Sequence, residues 1–101
     1  MHVSMFKVSF ENLASEEQKN FWLPKMNNLD ILGCYAQTEL GHGSNVAELE
    51  TTATFDMETD EIVIHSPTPT STKYWPGDLG QFTSHALVFG KLLVGKKNYG
   101  I

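Results

Sequence analysis

Residues 33–45 read Gly-Cys-Tyr-Ala-Gln-Thr-Glu-Leu-Gly-His-Gly-Ser-Asn, an apolar stretch that runs into hydrogen-bonding side chains and two glycines. Gln37, Thr38, Ser44 and Asn45 supply uncharged donors and acceptors along one turn. Such a set suits a neutral, planar ligand rich in heteroatoms, which a few polar groups can orient. Gly41 and Gly43 would let the backbone approach that ligand closely or take left-handed angles. An ordinary polar loop after a strand has the same composition, so both readings stand on these residues alone. A second candidate is Lys73-Tyr74-Trp75-Pro76-Gly77, where proline sets a turn and glycine leaves room around a free amide.

Other chemistries fit poorly. His2, His42, His65, His85 and Cys34 share no spacing of the C-x-x-C or H-x-x-x-H kind, so no metal site is expected. Gly41-His42-Gly43 lacks the third glycine of a dinucleotide-binding turn and does not lie between a strand and a helix. His42 has no nucleophile beside it to activate and is expected to be exposed or to support its neighbours.

The chain has 101 residues, 41% of them hydrophobic and 19% charged, which allows one modest core of globular type. A net charge of −5, with Lys96-Lys97 as the one cationic pair, argues against nucleic acid as a partner. The single cysteine excludes an intramolecular disulfide framework and fits a reducing compartment. No apolar run has membrane-spanning length, the first residues do not begin a signal peptide, and Asn98-Tyr99-Gly100-Ile101 is not a peroxisomal address.

These candidate residues need elements to hold them. In residues 1–12, Met5, Phe6 and Phe10 follow helical spacing, while Val8 with Phe6 and Phe10 also fits strand alternation; helix is the expectation. Ser15 with Gln18 reads as a capping box for a second helix, with Glu16 and Glu17 at its positive end. Phe21, Trp22 and Met26 give that helix an apolar face, and Pro24 should kink or end it. Residues 29–36 then form the strand that delivers the glycine-containing loop. Residues 49–55 alternate as a half-buried strand, 56–60 turn, and 61–65 return as its hairpin partner. Pro67 and Pro69 bar a long strand, 70–75 suits a short one, and 86–94 is expected to be a central strand. Residues 95–98 turn, and 99–101 begin a further strand. Helices followed by antiparallel strands define an α+β chain with a β-meander or small barrel.

The blocks Cys34 to Asn45, Leu49-Glu50-Thr51-Thr52-Ala53-Thr54 and Lys73 to Gly77 closely resemble the peroxisomal acyl-CoA oxidase family in order and spacing, and the likeness extends from about His2 to the last residue. The resemblance implies that residues 1–28 are the end of an N-terminal helical domain and 29–101 most of a middle β-domain. It implies FAD as cofactor, with Tyr35, Ala36, Gln37 and Thr38 along the flavin edge and Gly43 and Ser44 contacting the cofactor. It also places Gly77 where oxygen reaches the flavin. The implied reaction is α,β-desaturation of a fatty acyl-CoA with molecular oxygen reduced to hydrogen peroxide, in the peroxisome. No catalytic residue is expected in this chain, because the family's catalytic glutamate lies in the C-terminal domain and Glu39, Glu48 and Glu50 do not match it. The partner is expected to be a second copy or a complementing oxidase chain; the alternative is a truncated, non-catalytic module that binds or dimerises with a full-length oxidase. The sequence departs from the family pattern at Ala47-Glu48, Met57, Tyr74 and Asp78.

Overall fold

The computed structural model describes residues 2–101 as two compact units, one formed by the residues up to 36 with 76–87, the other by 37–75 with 88–101. In the first unit the chain opens with a π-helical segment, His2–Lys7, and continues as α1, Val8–Leu13. Helix α2, Glu16–Asn27, starts where expected: the Gln18 amide donates to Ser15 Oγ at 3.2 Å and the Ser15 amide to Gln18 Oε1 at 2.9 Å. Pro24 neither ends nor delimits this helix. It sits inside it, and Asn28 N still donates to the Pro24 carbonyl at 3.0 Å. Proline removes its own amide, not its carbonyl, so the last turn closes regardless.

The core of this unit is Phe6, Met26 and Ile31, with Phe10, Trp22, Leu23 and Leu87 packed against it. Of the expected apolar face of α2, Met26 is buried whereas Phe21 is 57% exposed. Strand β1, Gly33–Ala36, is half the predicted length. The preceding residues are used by the helix end, where Asp30 N and Ile31 N both donate to Lys25 O, at 2.9 and 3.4 Å, and Leu29 takes a φ of 60°. A Cβ on Gly33 would lie 2.1 Å from the Phe6 ring, so glycine is what lets that ring sit on the strand. His2 ties the same place together: Gly33 N donates to its Nδ1 at 3.0 Å, which leaves Nε2 to donate to Met26 O at 3.2 Å. Strand β4, His85–Val88, pairs with β1, and the Ser84 and His85 amides donate to Leu32 O at 2.9 and 3.1 Å.

In the second unit the strands are β2, Thr52–Asp56; β3, Glu61–His65; β5, Lys91–Val94; and β6, Lys97–Asn98, in the order β3-β2-β5-β6. The β2–β3 hairpin forms as expected, with Thr54 opposite Val63. The antiparallel meander or barrel does not: β5 runs parallel to β2, with Thr54 opposite Leu93, and no barrel is closed among the described residues. Strand β3 returns the chain to the start of β2, where His65 lies opposite Thr52, and β5 sets out from that same end with Lys91 opposite Thr52, so it runs parallel to β2. The apolar run 86–94 is broken into β4 and β5 by Phe89 and Gly90. Gly90 passes so close to β2 that a Cβ there would be 3.1 Å from Thr51 O. In place of a strand at 70–75 there is a 3-10 turn, Pro69–Ser71, capped by Thr68, followed by a single bridge between Lys73 and Glu39. A tight turn at Gly95, φ 59°, leads to β6, and pairing continues beyond it through Tyr99 N to Leu92 O at 2.9 Å.

Candidate functional site

Four of the seven sequence-predicted residues, Gln37, Thr38, Gly43 and Ser44, lie on one loop of the second unit. Tyr35 and Ala36, on β1, and Gly77 belong to the first unit. Ala36 is buried, Tyr35, Gln37, Thr38 and Gly77 are half-buried, and Gly43 and Ser44 are exposed.

The loop is built by main-chain bonds to the segment 70–74. Tyr74 N donates to Thr38 O at 2.8 Å, Leu40 N to Thr72 O at 3.0 Å and Gly41 N to Thr70 O at 2.9 Å. Glu39 and His42 exchange amide–carbonyl bonds of 3.2 Å each, closing a tight turn. The two loop glycines do different things. A Cβ on Gly41 would lie 2.9 Å from Thr70 Cβ, so Gly41 allows the chain to approach itself. Around the Cβ position of Gly43 there is no heavy atom within 4 Å. Neither takes a positive φ. Among the described residues no hydrogen bond uses the hydroxyl of Thr38 or Ser44, so neither side chain is engaged with its own backbone.

Beneath the loop lies a residue that sequence reasoning set aside. Glu39 is only 2% exposed, and its carboxylate accepts from Glu50 N at 2.6 Å, Thr51 N at 2.9 Å and the Thr51 hydroxyl. Lys73 Nζ lies 3.4 Å from Glu39 Oε2 and donates to Gln37 O at 2.9 Å and Phe89 O at 2.7 Å. Burial works against the charged carboxylate, but the Thr51 hydroxyl, the two amides and Lys73 together outweigh it and hold Glu39 below its ordinary value. Burial draws Lys73 below its ordinary value, and Glu39 opposes that in part. The same contacts explain why β2 begins at Thr52 and not at Leu49: the amides of Glu50 and Thr51 bind a carboxylate instead of a strand. A contact between residues 34 apart in sequence leaves no trace in local spacing. His42 is half-buried, its Nε2 3.4 Å from Glu50 Oε2.

At the second candidate, Trp75, Gly77, Asp78 and Gly80 all have left-handed backbones, with φ of 51°, 70°, 54° and 81°. The requirement for glycine at Gly77 is thus conformational, whatever space it also leaves. For Trp75 and Asp78 such angles store strain of order 1–3 kcal/mol each, and strain of this kind clusters at functional sites. Among the described residues no group of His, Cys, Asp and Glu is placed to hold a metal ion, and no helix is long and apolar enough to cross a membrane.

Comparison with known proteins places this geometry. Residues 1–32 match the family model described as acyl-coenzyme A oxidase N-terminal. The whole chain is 54% identical to peroxisomal acyl-coenzyme A oxidase 1 of Arabidopsis thaliana, of which it covers 15%. The solved structure of Arabidopsis thaliana acyl-CoA oxidase 1 superposes on 99% of the chain with a TM-score of 0.96 at 53% identity, again over 15% of that protein. Acyl-CoA oxidase-2 of Caenorhabditis elegans, solved bound with FAD, ascaroside-CoA and ATP, superposes on 98% of this chain and 15% of its own with a TM-score of 0.94 at 47% identity. The chain thus spans about a seventh of the length of the relatives it matches, and over that span it belongs to the acyl-CoA oxidase family.

Proposed function

We propose that these residues form the flavin-edge portion of a peroxisomal, FAD-dependent acyl-CoA oxidase, which desaturates a fatty acyl-CoA to the trans-2-enoyl-CoA and reduces molecular oxygen to hydrogen peroxide. In this reading residues 1–28 close an N-terminal helical domain and 29–101 belong to a middle β-domain. The observation that carries the reading is the loop at Thr38. Its hydroxyl has no partner among the described residues, its backbone is tied down on both sides, and Gly43 further along keeps its Cβ position clear. A hydroxyl that both donates and accepts suits the alternating edge of an isoalloxazine. Tyr35, Ala36, Gln37 and Thr38 would line that edge, and Gly43 and Ser44 would contact the cofactor beside it. FAD, when bound, supplies the hydride acceptor. Gly77 would leave the approach for oxygen. Glu39 is not the base for the α-proton, since both its oxygens are occupied by donors in a buried site; that base is assigned to none of these residues.

Titration of the folded chain with FAD, followed by flavin fluorescence and visible absorbance, tests the reading. Saturable binding is expected, and a natively folded chain that does not perturb the flavin would overturn it.

A second reading has its own observation. Strand β3 is a sheet edge on which Ile62, Val63 and Ile64 are each more than half exposed. An apolar edge of that kind invites pairing with another chain, which fits a non-catalytic module that binds or dimerises with a full-length oxidase. Mixing the chain with a full-length oxidase and looking for co-elution separates the two.

A further inference from the structure

We propose that Lys73, held by Glu39, is a positioning residue for Thr38, and that this buried ion pair sets how firmly the loop presents its donors to the cofactor. The proposal rests on the flavin reading of Thr38 for its purpose, but not for its geometry. Thr38 is flanked by two peptides. The carbonyl of the first, on Gln37, is taken by Lys73 Nζ at 2.9 Å; that of the second, on Thr38, is taken by Tyr74 N at 2.8 Å. In a trans peptide the N–H points opposite to the C=O, and among the described residues no peptide bond is cis. The Thr38 amide therefore faces away from Lys73.

Lys73 cannot do this alone. Its side chain is 12% exposed, and an ammonium so placed needs a counter-charge and acceptors. Glu39 provides the charge, and the carbonyls of Gln37 and Phe89 provide the acceptors. Glu39 is fixed in turn by three donors from residues 50 and 51, so the loop is referenced to the start of β2. The network contributes no group that touches a ligand; it acts through Thr38. Removing one partner of such a pair leaves the other buried and uncompensated, whereas an arginine retains the charge and offers more donors.

The test compares Lys73→Met with Lys73→Arg in the complete chain, read by amide hydrogen exchange and by FAD titration. Exchange at Leu40, Gly41 and Tyr74 is expected to accelerate at least about tenfold in Lys73→Met, the loss of roughly one hydrogen bond's worth of protection. Thr54 and Phe55 in β2 should stay within about twofold, and Lys73→Arg should recover most of the loop protection. Equal acceleration in the loop and in β2 would reduce the pair to general stability, and unchanged loop exchange would show the loop is held without it; either result overturns the proposal. If Lys73→Met does not fold, Thr51→Val removes one neutral donor from Glu39 and must show the same loop-selective pattern at smaller size. Where FAD binds, its affinity should fall about tenfold in Lys73→Met and recover in Lys73→Arg; equal affinity in all three proteins would refute the positioning role. Failure of the unsubstituted chain to bind FAD would overturn the flavin reading alone, since the exchange data decide the geometry of the loop independently.

Discussion

Two side chains carry the residue-scale predictions. Thr38→Val keeps the shape and removes the hydroxyl, so FAD affinity should fall about tenfold, the value of one hydrogen bond to a polar ring, while the melting temperature stays close to that of the parent. Unchanged affinity would move the flavin contact elsewhere. Glu39 yields a pH dependence. Its folded-state value lies below the ordinary 4.5, so the folded state holds fewer protons on it than the unfolded state in that window. The stability it contributes is present above pH 4.5 and is lost as pH falls through the lowered value. Glu39→Gln should therefore be less stable than the parent at pH 7 and show a flatter acid limb in pH-dependent denaturation; parallel acid limbs would contradict this. Thr38 was singled out because its block, Cys34 to Asn45, is one continuous run that resembles the acyl-CoA oxidases, and its flavin role is the proposal made above. Glu39 was not: a carboxylate beside a threonine in a polar loop reads as solvated, and only the distant Lys73 and the two amides at 50 and 51 make it internal.

Elements that obey local rules were the ones the sequence announced. The Ser15–Gln18 cap and the β2–β3 hairpin are written in four and about fourteen consecutive residues respectively, and both form. The parallel return of β5 onto β2 and the break of 86–94 were not foreseeable in this way, because both depend on which strand lies alongside and on Gly90 meeting Thr51. Helix α2 shows the opposite failure: Pro24 gives up only its own amide, so the helix runs through it to Asn27. Strand β1 provides the element-scale prediction. Gly33→Ala would drive a methyl into the buried Phe6 ring, and overpacking of that kind costs about 1–3 kcal/mol. The expected result is a lower denaturation midpoint in the variant, partly restored by Phe6→Leu in the same chain; an undiminished midpoint would mean that the ring has room to move.

For the whole molecule, self-association is the property most exposed to test. With β3 at an edge and Ile62, Val63 and Ile64 uncovered, sedimentation should show mass rising with concentration, and Val63→Lys should hold the chain monomeric; identical behaviour of the two would exclude this edge as the contact. Each compact unit is also assembled from two separate stretches, so neither is one uninterrupted run of sequence. That interleaving has a consequence during synthesis. Leu32 finds its partner Ser84 only 52 residues later, and at about 5–20 residues per second a ribosome needs roughly 3–10 s to deliver it. For that interval the nascent β1 has no partner strand, so its place in the sheet is settled only once β4 has been made.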